Sequence, residues 1–167
     1  MRNRPHFALR APDRTRGFTL VELITVVVII AVVAAVAMPD LSNLLVSQRL
    51  RAAGTDLMSS LLVARSEAIK RNGPVEVRPV SGVDWTQGWI VNVTSSNQQI
   101  DKRSALGASV VVAFAPASIV YQHNGRVSAT AISQVQFSDG RSGSALSPRC
   151  LVIAPSGVPR LNLGACA

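Results

Sequence analysis

The sequence predicts an α+β fold in which one long N-terminal helix packs on antiparallel β-structure. Three observations predict it. Phe18 to Met38 is an apolar run whose only polar residues are Thr19, Glu22 and Thr25. Residues 39–72 continue with apolar side chains at helical spacing. After Gly73 the pattern changes to short β-branched runs separated by turn residues. A helix followed by about eight short consecutive strands favours antiparallel sheets laid on the helix.

The apolar run comes first. About 20 residues rising 1.5 Å each span a hydrocarbon core of roughly 30 Å. The preceding flank carries Arg2, Arg4, Arg10, Arg14 and Arg16 against one acid, Asp13. Excess Arg marks the cytoplasmic side, so the C-terminus is expected outside. A secretory signal peptide also begins basic and continues apolar, but its apolar region is usually about 7–15 residues long and ends in small residues. Met38-Pro39-Asp40 is a poor site of that kind. Glu22 is the anomaly. An acid at the centre of a membrane helix costs about 2.5–3.5 kcal/mol, and less near an end, but it still calls for a partner. It is either a headgroup-level acid on a helix starting at Arg16, or the partner of an ammonium created by a cut between Gly17 and Phe18.

The second segment carries Leu50, Ala53, Leu57, Leu61, Ala64 and Ala68 at spacings of three and four, one apolar stripe. Arg49, Asp56, Ser59, Glu67 and Lys70 lie largely on the other side. Asn72-Gly73-Pro74 supplies the stop: a Gly suited to the left-handed cap, then a Pro. Phe18 to Asn72 is therefore expected as one helix of roughly 80 Å, bent or loosened near Pro39. The strand-like runs are Val75–Arg78, Trp89–Val93, Ser109–Phe114, Ile119–Gln122, Arg126–Ala131, Val135–Phe137, Cys150–Ala154 and Arg160–Leu163. Ser81-Gly82, Asn124-Gly125, Asp139-Gly140 and Ser156-Gly157 mark turns, and Asn-Gly is a hairpin signal. Ser138 to Ser147 is expected as an exposed loop. Trp85 and Trp89 are expected as core or interface aromatics.

Arg16-Gly-Phe-Thr-Leu-Val-Glu-Leu23 resembles the prepilin peptidase site of type IV pilins and type II secretion pseudopilins: a basic leader, then Gly17, Phe18 and a Glu at the fifth mature position, Glu22. Pro39 falls where these proteins often have a helix-weakening proline. The resemblance implies cleavage after Gly17, methylation of the Phe18 amine, and contact between Glu22 and a neighbour's N-terminus during assembly. Ala64-Arg-Ser-Glu-Ala-Ile-Lys-Arg-Asn-Gly-Pro-Val-Glu-Val77, then Asp84-Trp-Thr-Gln-Gly-Trp-Ile-Val91, is similar to the GspH/FimT branch, whose head is a β-sandwich on the helix's C-terminal half. Cys150-Leu-Val-Ile-Ala-Pro-Ser-Gly157 and a last Cys166 resemble the ends of FimT- and FimU-like minor pilins. The implied organisation is a leader (1–17), a transmembrane and filament-core helix (18–38), an amphipathic helix (39–72) and a β-rich head (73–167). The implied partners are other pilins or pseudopilins, the prepilin peptidase and, before assembly, the bacterial inner membrane with the C-terminus periplasmic. Pilus and pseudopilus are both open as the destination.

In that compartment Cys150 and Cys166 are expected to pair, two free thiols being the alternative. The net charge of +8 overstates the mature chain, because the leader carries five Arg and one Asp and leaves 12 basic and 8 acidic residues. The C-terminal third is basic: after Asp101 its only acid is Asp139, while Arg126, Arg141, Arg149 and Arg160 fall there. FimT-like minor pilins are implicated in DNA uptake through a tail Gly-Arg-x-Arg. Here the matching Gly157-Val158-Pro159-Arg160 keeps the second arginine and replaces the first with Val158. The resemblance makes Arg160 a candidate contact for double-stranded DNA, and the basic charge pattern of the C-terminal third adds Arg126, Arg141 and Arg149 to this sequence-blind and salt-dependent interaction. The sequence shows no catalytic triad, phosphate loop or metal-ligand cluster, so no enzyme and no cofactor are expected. His123 is expected on the surface.

Overall fold

A computed structural model describes residues 17–128 and 133–167. The expected leader, apart from Gly17, lies outside the described residues. The helix α1 spans Leu20–Arg71, 52 residues, and its assignment runs through Pro39. The chain forms two compact units, one ending at Pro39 and one spanning Asp40–Ala167.

In the first unit the helix has a mean hydropathy of 3.0 over its most apolar window, long and apolar enough to cross a membrane. Its large side chains face outward: Leu23 is 61 % exposed and Ile30 61 %. An apolar surface of that extent requires lipid or other helices around it.

In the second unit the helix buries the predicted stripe. Leu50, Leu57, Leu61, Ala64 and Ala68 are buried together with Val46 and Ala53. The helix ends in a Schellman-type cap. Asn72, with φ 51°, takes the left-handed position, and the Gly73 N–H donates to the Ala68 carbonyl at 3.1 Å. The expected left-handed Gly is thus replaced by the Asn beside it, one of the few non-glycine residues that tolerate this conformation. Lys70 and Arg71 in the last turn favour the helix's negative end, and Arg71 Nε donates to Glu67 at 2.7 Å.

Eight strands follow: β1 Val75–Ser81, β2 Asp84–Val93, β3 Gln99–Arg103, β4 Val110–Phe114, β5 Ile119–Tyr121, β6 Ser133–Asp139, β7 Arg149–Ile153 and β8 Pro159–Leu163. They form two four-stranded antiparallel sheets, ordered β3-β2-β1-β5 and β4-β6-β7-β8. Both sheets and the helix stripe share one core. Alternation sets which side faces it: Val75 and Val77 on β1, Val135 and Phe137 on β6, Leu151 and Ile153 on β7 are buried. Trp85 and Trp89 are core residues with ring centroids 6.5 Å apart. Their indole N–H groups find partners, Trp85 at the Pro116 carbonyl (2.8 Å) and Trp89 at the Ser60 hydroxyl (3.0 Å).

Two strand expectations are corrected. Gln99–Arg103 pairs with β2 as β3 although it reads polar, because it is an edge strand in which no residue is fully buried and so needs no hydrophobic alternation. Of the expected run Arg126–Ala131, residues 129–131 lie outside the described residues. The described part makes only an isolated bridge, Tyr121 to Val127, behind the Asn124-Gly125 turn.

Candidate functional site

Gly17 and Phe18 precede the helix in non-helical backbone, and Phe18 is 81 % exposed. The bond between them therefore lies in an exposed, non-helical segment. Thr19 caps the helix, its hydroxyl oxygen accepting from the Glu22 N–H at 3.2 Å. Thr19-Leu-Val-Glu22 has the spacing of a capping box, a signal present in the sequence beside the processing motif. Glu22 thus lies in the helix's first turn, where the positive end of the helix dipole favours a carboxylate. Among the described residues it forms no ion pair.

The four C-terminal arginines occupy different places. Arg126 is exposed beside the Asn124-Gly125 turn, which packs against Arg65 and Ile69 of the helix. That turn also meets the β7–β8 turn, where the Val127 N–H donates to the Pro155 carbonyl at 3.2 Å. Arg160 is exposed on β8 opposite Val152, at the same end of its sheet. Arg149 stands at the other end of β7, opposite Leu163, about 10 Å along the strand from Val152. Arg141 lies further off still, against Ser42 and Asn43, some 35 Å along the helix from Arg65. The structure brings Arg126 and Arg160 toward one end of the head and separates Arg141 from them.

Arg141 is also engaged. Its Nη1 donates to the Ser42 hydroxyl and its Nη2 to the Asn43 side-chain oxygen, both at 3.0 Å. Its Nε and Nη2 bind Asp139 at 2.9 and 2.8 Å. The Asp139 side chain is only 2 % exposed and also accepts from the Ser144 hydroxyl. The Ser/Gly-rich stretch is thus tied to the helix by Arg141, which a buried carboxylate holds in place. Hydrogen bonding from Arg141, then from Ser144, holds that carboxyl well below the usual carboxylate range despite its burial. A depressed folded-state value stabilises the fold above the ordinary carboxylate range, and the contribution is lost as pH falls below it. Arg141→Ala leaves the buried acid short of donors. The full chain in detergent is expected to melt ~5 °C lower, with faster amide exchange at residues 40–46. An unchanged melting temperature and exchange pattern would refute the clamp.

A family model described as "Type II transport protein GspH" matches residues 53–157, and a prokaryotic N-terminal methylation motif matches residues 12–38. The chain belongs to the GspH family. Among solved structures, this GspH-family chain is similar to the type IV minor pilin FimU of Pseudomonas aeruginosa PAO1. The TM-score is 0.57 at 21 % identity, over 71 % of this chain and 90 % of that one. It is also similar to the minor pseudopilin EpsH of the type 2 secretion system of Vibrio cholerae. There the TM-score is 0.52 at 13 % identity, over 69 % of this chain and 97 % of that one. These likenesses show the fold, a long helix on antiparallel sheets of the type IV pilin kind. No curated protein sequence matches. The chain is a pilin or pseudopilin of the GspH family with an N-terminal methylation motif.

The C-terminal end of this GspH-family head is stapled. Cys150 on β7 and Cys166 are joined in a disulfide, with Cα atoms 5.1 Å apart. Closing a loop of this length stabilises by roughly 3 kcal/mol in the chain-entropy model. The Cys166 N–H donates to the Gln136 side chain at 2.8 Å, and Gln134 donates to the Ala167 carbonyl at 3.0 Å. The last residues therefore bond to β6 and β7 and cover Cys150, which is 2 % exposed. His123 is exposed. Among the described residues no cluster of His, Cys, Asp and Glu has the form of a metal site.

Proposed function

We propose that this chain is a minor pilin of a type IV pilus, a structural subunit rather than an enzyme. It is cleaved after Gly17 and methylated on the Phe18 amine by the prepilin peptidase. The methylation motif over residues 12–38, continuous with the exposed apolar helix that begins at Leu20, carries this reading. Cleavage leaves an ammonium four residues before Glu22 and removes the basic leader. The chain then rests in the inner membrane with its head periplasmic until the helix enters the filament. There Glu22 meets a neighbour's N-terminal amine, and Pro39 marks the passage from filament core to head.

The pilus is favoured over a secretion pseudopilus by the Cys150–Cys166 staple and the tail around it, which resemble FimU-like minor pilins. The pseudopilus reading is supported by the match to the type II transport protein GspH family over residues 53–157. A deletion strain scored for pilus display and for protein export separates the two. Arg126, exposed beside its turn, and Arg160, exposed on β8 just after the β7–β8 turn, support a finer reading in which the head touches extracellular double-stranded DNA. Arg149 is half-buried, and Arg141 is committed to Asp139 and the helix. Mass spectrometry of the mature protein tests the class. The expected start is methylated Phe18, and an intact Met1 or a cut after Ala37 would refute it.

A further inference from the structure

A groove of about 410 Å³ opens beside the helix in the second unit. Arg49 and Asp56 line it from one side, Lys102 and Arg103 from the end of β3, and Trp89 from the core. Its outer wall is the β3–β4 connection, and that wall is built rather than loose. Gly88 on β2, with φ 90°, lets the chain at Arg103 and Ser104 fold directly over it, where a Cβ would collide with both carbonyls. The Leu106 N–H then donates to the Thr86 carbonyl at 2.8 Å, and the Val110 N–H to the Gly107 carbonyl at 2.9 Å. Gly107 comes up against the Arg49 stem and narrows the mouth.

The charge of this groove is lopsided: three cations face one acid. Among the described residues Arg49 and Lys102 form no ion pair, and Arg103 has only Asp101, whose carboxylate is 3.6 Å away. Arg side chains around an open, partly apolar hollow match a carboxylate on a short side chain, with two donors per oxygen pair. The volume holds one or two side chains, and the apolar floor suits the stem behind the carboxylate.

We propose that this groove is a docking site for an acidic peptide segment of a partner subunit, an Asp- or Glu-bearing loop inserted between α1 and the β3–β4 connection. The inference rests on the reading of the chain as an assembly subunit. Charge complementarity selects the partner and sets its register along the helix, and Asp56 opposes the incoming anion.

The test uses the full mature chain in detergent micelles and two dye-labelled capped peptides, Ser-Glu-Asp-Leu-Ser and its amide counterpart Ser-Gln-Asn-Leu-Ser, followed by fluorescence anisotropy. The acidic peptide is expected to bind saturably and at least about tenfold more tightly than the amide one, with the advantage shrinking as salt rises. Arg49→Gln and Arg103→Gln weaken it, whereas Asp56→Asn tightens it, a gain that misfolding does not imitate. Lys70→Gln, outside the groove, leaves it unchanged. Equal binding of the two peptides, or unaltered binding in the Arg49→Gln/Arg103→Gln chain, overturns the proposal. So does displacement by inorganic phosphate at matching concentration, which would make the groove a free-anion site. A groove that ignores the acidic peptide in a chain still cleaved at Gly17 and still entering filaments refutes this inference alone. Loss of filament entry in a chain that binds the peptide refutes the assembly reading alone.

Discussion

Glu22→Gln chains are expected to be cleaved and held in the membrane in normal amounts, yet to enter filaments at least about tenfold less often, the consequence of losing one buried ion pair. In the proposed assembly, the new Phe18 ammonium and the Glu22 carboxylate would each face a steep desolvation penalty when helices close around them, and pairing would relieve both. With Gln, the incoming ammonium is left in an apolar surround without its counter-charge. The substitution spares the helix start, because the Thr19 hydroxyl accepts from the Glu22 backbone N–H rather than from its side chain. Thr19→Ala is the matching control. It removes the cap, worth about 1 kcal/mol, and leaves the charge pair in place. Quantifying mature chain in sheared filaments against mature chain in membranes reads the effect. Unaltered incorporation of Glu22→Gln, with processing intact, would remove the electrostatic account of assembly.

Gly157→Ala is expected to be among the most damaging single-methyl changes in the head. Gly157 has φ 82°, a conformation costing about 1–2 kcal/mol for a residue with a Cβ. The added methyl would also run into the Gly125 carbonyl oxygen and press on the Tyr121 ring. Neither gives way easily. The Gly125 turn is held by its own hydrogen bond to Gln122, and the buried Tyr121 hydroxyl donates to the Gly157 carbonyl at 3.2 Å. Overpacking of this kind adds about 1–3 kcal/mol. Together these terms lower the melting temperature by roughly 10 °C or more. Gly82→Ala supplies the comparison: its φ is 53° but nothing lies within 4 Å, so only the backbone cost remains. Thermal unfolding of the two variants side by side decides the matter, and equal melting points would mean that the two turns do not pack as described. The change also disturbs the turns that carry Arg126 and approach Arg160, so any DNA contact there would fail with it.

Much of this protein was legible in one dimension because the relevant signals are local. An apolar run of membrane length, a Gly-Phe junction behind a basic flank and an acid four residues later need no fold to be read. The stripe from Leu50 to Ala68 reports which helix face is buried, since helical periodicity alone groups those residues. Turn dipeptides bounded most of the strands for the same reason. What escaped was anything settled by a distant neighbour. Gln99–Arg103 becomes a strand only because β2 offers it an edge. Arg141 looked like one more free cation in a basic third, until the fold set it between Asp139 and two helix residues about a hundred positions earlier in the chain. Arg49, Lys102 and Arg103 are scattered ordinary charges in the sequence, and the tight path of the chain over Gly88 makes them the walls of one groove. The apolar run, the N-terminal methylation motif and the helix stripe follow from spacing along the chain, which covalent geometry dictates. The pairing of charges and the shape of the head follow from contacts across it, which only packing of the two sheets on the helix decides.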